Sequence, residues 1–298
     1  MNETNKSVRK ITPLEEMNVI DDFLFYEMLY DEEHGKEACR LILERVLKCS
    51  IGNIQYTAQK MIPGISETGQ GIRLDAYITE DVCDSEGRPD INVYDLEPDK
   101  RSYKKKSLPK RCRYYSDLID VQIVNSGIKY EKLPKIVIIF ILSYDPFDQG
   151  DMYYEAGTML KTHPDIPYDD GIRRIYLYTE GKLKKDADDN DKKLKNLLQY
   201  IRRSTEENVT DETTRRLDEL VKATKHKKDI GVKYMKSWEL ESELREEGRE
   251  EGREEERANT EAERRRADAA ESRAGEAESR ADAAEAELEK YKAKFGII

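Results

Sequence analysis

The chain has little of what builds disulfide frameworks or zinc centres. Its 298 residues include four cysteines and three histidines. Cys39, Cys49, Cys83 and Cys112 are scattered without a Cys-x-x-Cys pair, and His34, His163 and His226 lie far apart. That distribution argues against a zinc site and for free thiols in a reduced, cytoplasmic setting. Long apolar runs are also missing. No stretch approaches the roughly 20 residues needed to cross a bilayer, and the opening "MNETNKSVRKITP" has no apolar signal region. No membrane attachment is expected.

Charge, by contrast, is plentiful. Charged residues make up 39% of the chain against 37% hydrophobic, too polar for one compact globule throughout, so a solvated segment is expected. Residues 239–298 hold 20 acids and 12 bases, a net of −8 out of the chain's −11. The remainder is therefore close to balanced, and overall acidity says little about its partners.

Apolar periodicity divides the chain. Residues 1–17 read as a flexible arm. "DDFLFYEMLYDEEHG" and "GKEACRLILERVLKC" carry apolar residues at three- and four-residue spacing and predict two helices. "NIQYTAQKMI" alternates weakly. "GIRLDAYITE" alternates better, with Ile72, Leu74, Ala76 and Ile78 expected on one face and Arg73, Asp75 and Tyr77 on the other. After the turn-forming "DSEGRPD", "INVYDLEP" predicts the second arm of a hairpin, with Val93, Asp95 and Glu97 sharing one side. "LPKRCRYYSDLIDVQIVNSG" reads as a helix opened by Pro109, and "KIVIIFILSYD" as a strand covered on both faces. "GIRRIYLYTE" adds another strand. The expected class is α/β, with a crossover helix feeding an interior strand. Domain boundaries are expected at 18–182 for the main domain, 183–238 for a helical extension and 239–298 for a charged tail.

The tail repeats every seven residues. Ala267, Ala270, Ala274, Ala277, Ala281, Ala284, Leu288, Tyr291, Phe295 and Ile298 occupy the a and d sites without a break. A strict seven-residue spacing predicts a left-handed coiled coil and hence a homo-oligomer. The bland alternative is a lone alanine-rich helix.

Two features carry chemistry. Asp75 and Glu97 interrupt strands expected to pair, and a carboxylate in a sheet core is costly unless it is neutralised, paired or bound to metal. Hard oxygen ligands at that spacing suit Mg²⁺ or Mn²⁺. The alternative is a pair of half-exposed surface acids. Directly downstream, "KRSYKKKSLPKRCRYY" holds eight bases (Lys100, Arg101, Lys104, Lys105, Lys106, Lys110, Arg111 and Arg113) and no acid. With Tyr103, Tyr114 and Tyr115 interleaved, it suits a phosphate backbone, although an isolated block of this kind is also compatible with a solvated loop.

The linked set "RLDAY…YDLEPDK…LPKRCRYYSDLID…LPKIVIIFILSYDPFDQG" resembles the PD-(D/E)XK nucleases, in particular the recombination-promoting, transposase-like branch. The similarity spans roughly residues 18–160, including "DDFLFYEMLYD", and extends to the tail "EEGREEGREEE" in style only. It implies a restriction-endonuclease-like core, a mixed central sheet flanked by helices, and Mg²⁺-dependent (or Mn²⁺-dependent) hydrolysis of DNA. It implies Asp75 as the principal metal ligand, Glu97 as the second acid, and Leu96 as the donor of a backbone carbonyl. The third motif position, Lys or Gln in the family, is Asp99 here. That departure leaves three outcomes: Asp99 as a further ligand, Lys100 swinging in as the catalytic cation, or DNA binding with little cleavage. Arg101, Lys104, Lys105, Lys106, Lys110, Arg111, Arg113 and Tyr115 are the expected DNA contacts. The rival readings are a DNA-binding assembly protein on a degenerate nuclease fold and a scaffold that works through its charged tail.

Overall fold

The computed structural model describes residues 11–64, 71–83, 87, 89–124, 127 and 129–296. Positions 1–10 of the expected arm, most of the "DSEGRPD" turn and Ile298 of the heptad series lie outside the described residues. The chain divides into two units, Met1–Tyr234 and Met235–Ile298.

The first unit is built on a six-stranded mixed sheet: β1 (Asn53–Ile62), β2 (Ile72–Cys83), β3 (Pro89–Asp99), β4 (Lys135–Leu142), β5 (Tyr153–Ala156) and β6 (Ile172–Tyr178), in the order β1-β2-β3-β4-β6-β5. The first three strands are antiparallel neighbours; β3, β4 and β6 run parallel, and β5 returns antiparallel at the far edge. Helix α3 (Leu108–Val124) lies in the connection from β3 to its parallel neighbour β4. The β4 sequence "KIVIIFIL" is apolar throughout because both of its faces are covered, and seven of its eight residues are buried.

Two apolar layers sandwich the sheet. One is formed by α1 (Asp22–Tyr30), α2 (Glu32–Leu47), α4 (Asp189–Arg202) and α5 (Glu212–Lys225) against Ala76, Ile78, Tyr94, Leu96, Val137 and Ile139. The other is formed by Leu108, Cys112, Leu118 and Ile119 of α3 against Leu74, Tyr77, Val93, Ile138 and Phe140. Residues 183–238, expected as a helical extension, contribute α4 and α5 to the first of these layers, with Leu194, Leu198, Leu217 and Leu220 buried in it. Both helices open on capping boxes, Asp188 with Asp191 and Asp211 with Thr214, which fix where each begins.

The expected alternation in β2 breaks midway. Ile72 and Leu74 pack on the α3 side, whereas Ala76 and Ile78 pack on the opposite side. The four apolar residues therefore do not share one face, and the change of phase falls at Asp75. The short strand β5 has no apolar alternation to announce it.

In the second unit the helix α6 (Ile230–Phe295), which begins in the first unit, runs on as one continuous helix. Along the heptad face the large side chains are exposed, Leu288 at 53% and Tyr291 at 59%. All four cysteines are free thiols, Cys39 and Cys112 buried and Cys49 and Cys83 exposed. Among the described residues no helix is long and apolar enough to cross a membrane.

Candidate nuclease site

Strands β2 and β3 bring their acids to one place. The β2–β3 ladder has a constant register up to Ala76 opposite Leu96, which sets Asp75 and Glu97 at facing positions just beyond it. There the main-chain N–H of Asp75 donates to Oε1 of Glu97 at 2.8 Å. The Nε2 of Gln59, on β1, donates to Oδ1 of Asp75 at 3.1 Å. Glu97 is 2% exposed and Asp95 fully buried, both on the α3 side of the sheet by strand alternation. Leu96 is buried in the opposite layer.

Burial sets the electrostatics. It pushes the Asp75 carboxyl up to about 6, with the charge of Asp22 adding to the rise and Arg73 and Arg101 opposing it. Burial also holds Glu97 well above the usual carboxylate range, and the charges of Asp95 and Asp75 push the same way. Asp95 is raised by burial and then by Asp75, while the adjoining Glu97 carboxyl works against that rise. Among the described residues, neither oxygen of Asp95 has a hydrogen-bond partner. A buried acid without a donor is expensive and calls for a proton or a bound ion to offset it.

Asp99 is in a different situation. It is buried, and its Oδ1 accepts from the backbone N–H of Arg101 at 2.7 Å and from its Nε at 3.0 Å. Its Oδ2 accepts from Arg111. Burial alone would raise this carboxyl, but the bonds from Arg111 and Arg101 outweigh burial and leave it below the usual range. Asp99 is thus a paired, ionised anion. Lys100 ion-pairs with Asp21, the residue that precedes α1, which sets the start of that helix beside the end of β3.

The basic block separates into two groups. Arg101 and Arg111 turn toward Asp99 and both bond it, Arg101 half-exposed and Arg111 largely buried over the Phe140 ring at 4.9 Å. Tyr115, one turn further along α3, has its phenol raised by burial and by the charge of Glu97, so it stays protonated. Lys104, Lys106, Lys110 and Arg113 are exposed along the 3-10 turn Ser102–Ser107 and the start of α3, and Lys105 pairs with Asp148. The inward arginines are indistinguishable from the outward lysines by composition. Only the helical spacing that puts Arg111 and Tyr115 on one line of α3 separates them.

Comparison with known families supplies the decisive finding. The model of the PD-(D/E)XK nuclease family transposases matches residues 19–251. The chain belongs to that family. No curated protein and no solved structure shows significant similarity to it. The mixed sheet with helices on both faces is consistent with the restriction-endonuclease-like fold, and nucleases of the PD-(D/E)XK type generally use divalent metals.

The donor set of this PD-(D/E)XK chain suits such an ion. Every candidate ligand is a hard oxygen, and burial raises all three acids because few local donors or cations offset their charge, a deficit that a bound divalent ion would fill. Among the described residues no group of three or more His, Cys, Asp or Glu side chains is arranged to hold a metal ion. Three residues that the sequence reading did not single out lie at the candidate site: Gln59, bonded to Asp75; Asp95, beside Glu97; and Asp22, whose charge acts on Asp75. Asp95 had a signal, an acid two positions before Glu97 in an apolar strand. Gln59 had none beyond the weak alternation of its strand.

Proposed function

We propose that the protein is a Mg²⁺- or Mn²⁺-dependent DNA endonuclease that hydrolyses phosphodiester bonds. The observation that supports this most directly is the junction of Asp75 and Glu97: a half-buried and a buried carboxyl residue at facing strand positions, joined by the 2.8 Å bond from Asp75 N–H to Glu97 Oε1, next to an exposed basic surface. Asp75 and Glu97, with the backbone carbonyl of Leu96, would hold the ion. When bound, it would supply positive charge that polarises the phosphate and eases deprotonation of the attacking water. Lys104, Lys105, Lys106, Lys110 and Arg113 grip the DNA backbone. Arg111 and Arg101 keep Asp99 ionised and fixed, and they place positive charge beside the acids. The protonated Tyr115 can donate to a phosphate oxygen. The heptad face of α6 joins copies of the chain, which raises avidity for DNA.

One observation favours the second reading, a DNA-binding assembly protein with weak or no cleavage. Among the described residues no lysine pairs with Asp75 or Glu97, because Lys100 is bound to Asp21 and the third motif position is the arginine-held Asp99. Conversion of supercoiled plasmid to nicked circles separates the two. The first reading expects it in Mg²⁺ or Mn²⁺, but neither in chelator nor with Asp75→Ala. The second expects retention of DNA that ignores Asp75→Ala.

A further inference from the structure

Gln59 adopts φ +52°, the left-handed region that non-glycine side chains seldom enter. It does so in the middle of a strand. The β1–β2 ladder keeps one register on both sides, Ala58 opposite Ala76 and Lys60 opposite Leu74, yet the intervening Gln59 and Asp75 make no ladder pair. On the other flank, β2 pairs with β3 only up to Ala76 opposite Leu96. Asp75 is therefore released from both neighbouring ladders at once.

Side chains replace the missing backbone bonds. The Gln59 amide holds Oδ1 of Asp75 at 3.1 Å, and the Glu97 carboxylate takes the Asp75 N–H at 2.8 Å. The chain reverses its packing phase here, with Leu74 in the α3-side layer and Ala76 in the opposite one. A local disruption in a strand next to a site re-aims a side chain. Strain at a residue that glycine would satisfy more cheaply points to a use for the side chain that is kept.

We propose that Gln59 is a positioning residue that aims the Asp75 carboxylate: its left-handed backbone frees Asp75 from the ladder, and its amide orients Oδ1. This rests on Asp75 being a metal-holding acid. The amide leaves the second carboxylate oxygen free, and because it is neutral it constrains the acid without cancelling its charge.

The test compares wild type with Gln59→Gly, Gln59→Asn and Asp75→Ala, measuring thermal midpoint, Mn²⁺ affinity by calorimetry, and kcat and KM for plasmid nicking. Glycine accepts the positive φ and removes the amide. Gln59→Gly is expected to melt no lower than wild type, to bind Mn²⁺ about tenfold more weakly, and to lose kcat by a similar factor at unchanged KM. Asparagine tolerates the left-handed region and keeps an amide, so Gln59→Asn recovers part of the loss. The assignment is overturned if Gln59→Gly binds and cleaves like wild type while Asp75→Ala does neither. It is overturned as a merely structural role if Gln59→Gly melts well below wild type. If Asp75→Ala itself matches wild type in both measurements, the site reading fails and the Gln59 assignment fails with it.

Discussion

The Arg111 guanidinium donates to Oδ2 of Asp99 and lies over Phe140, so the buried Asp99 carboxylate sits in an ion pair roofed by an aromatic ring. Arg111→Ala would leave the buried Asp99 with Arg101 as its remaining guanidinium partner. Removing one member of a buried pair is expected to cost about 3 kcal/mol. Replacing both partners with apolar residues, Asp99→Leu with Arg111→Met, should cost much less. Urea denaturation of the two variants checks this. Equal losses would show that the ion pair is not what Arg111 contributes.

The acids Asp75, Glu97 and Asp95 should make the fold weaker as they ionise. Burial pushes Asp75 up to about 6, and it raises Glu97 and Asp95 as well. An acid with a higher pKa when folded binds more protons in the native state, so stability falls as pH rises between the unfolded and folded values. For Asp75 that window runs from about 4 to about 6 and represents at most about 3 kcal/mol. In chelator, the thermal midpoint is expected to fall from about pH 5 to pH 8, and Asp75→Asn to flatten that fall. A rising midpoint, or an identical slope in the variant, contradicts the burial argument.

Lys104, Lys106 and Lys110 are exposed, and the proposed function has them grip the DNA backbone. Replacing all three by alanine should reduce the slope of log affinity against log salt by about three, uniformly across DNA sequences. Fluorescence anisotropy at several salt concentrations measures that slope. An unchanged slope would remove this face from the interface.

Leu288 and Tyr291, the large residues of the seven-residue repeat, are exposed in the single chain. If the α6 seam joins copies, Leu288→Glu with Tyr291→Glu converts the full-length protein to monomer by light scattering. A mass equal for wild type and variant rules out the coil as the oligomerisation element.

Most of the architecture was legible because its elements announce themselves locally. The uninterrupted apolar run of β4 marks an interior strand, and the spacing of Ala38, Ile42 and Val46 marks α2. The β2–β3 hairpin followed from two alternating runs around a turn, and it set Asp75 opposite Glu97. What stayed hidden depends on tertiary context. The phase break at Asp75 is a backbone event at Gln59, a residue with no intrinsic preference for positive φ. The inward turn of Arg111 depends on which face of α3 meets the sheet, and the pairing of Lys100 depends on where α1 begins. Neither is encoded in a residue's near neighbours.

The most direct measurement on the central claim uses Glu97→Gln. The substitution keeps an oxygen to accept the Asp75 N–H and removes only the negative charge. Plasmid nicking in Mg²⁺ is expected to fall by at least about a hundredfold, while the thermal midpoint holds, because burial already keeps Glu97 toward its neutral form in the metal-free fold and the amide is neutral too. Cleavage at the wild-type rate by this variant would contradict the assignment of Asp75 and Glu97 as the divalent-metal site of a nuclease.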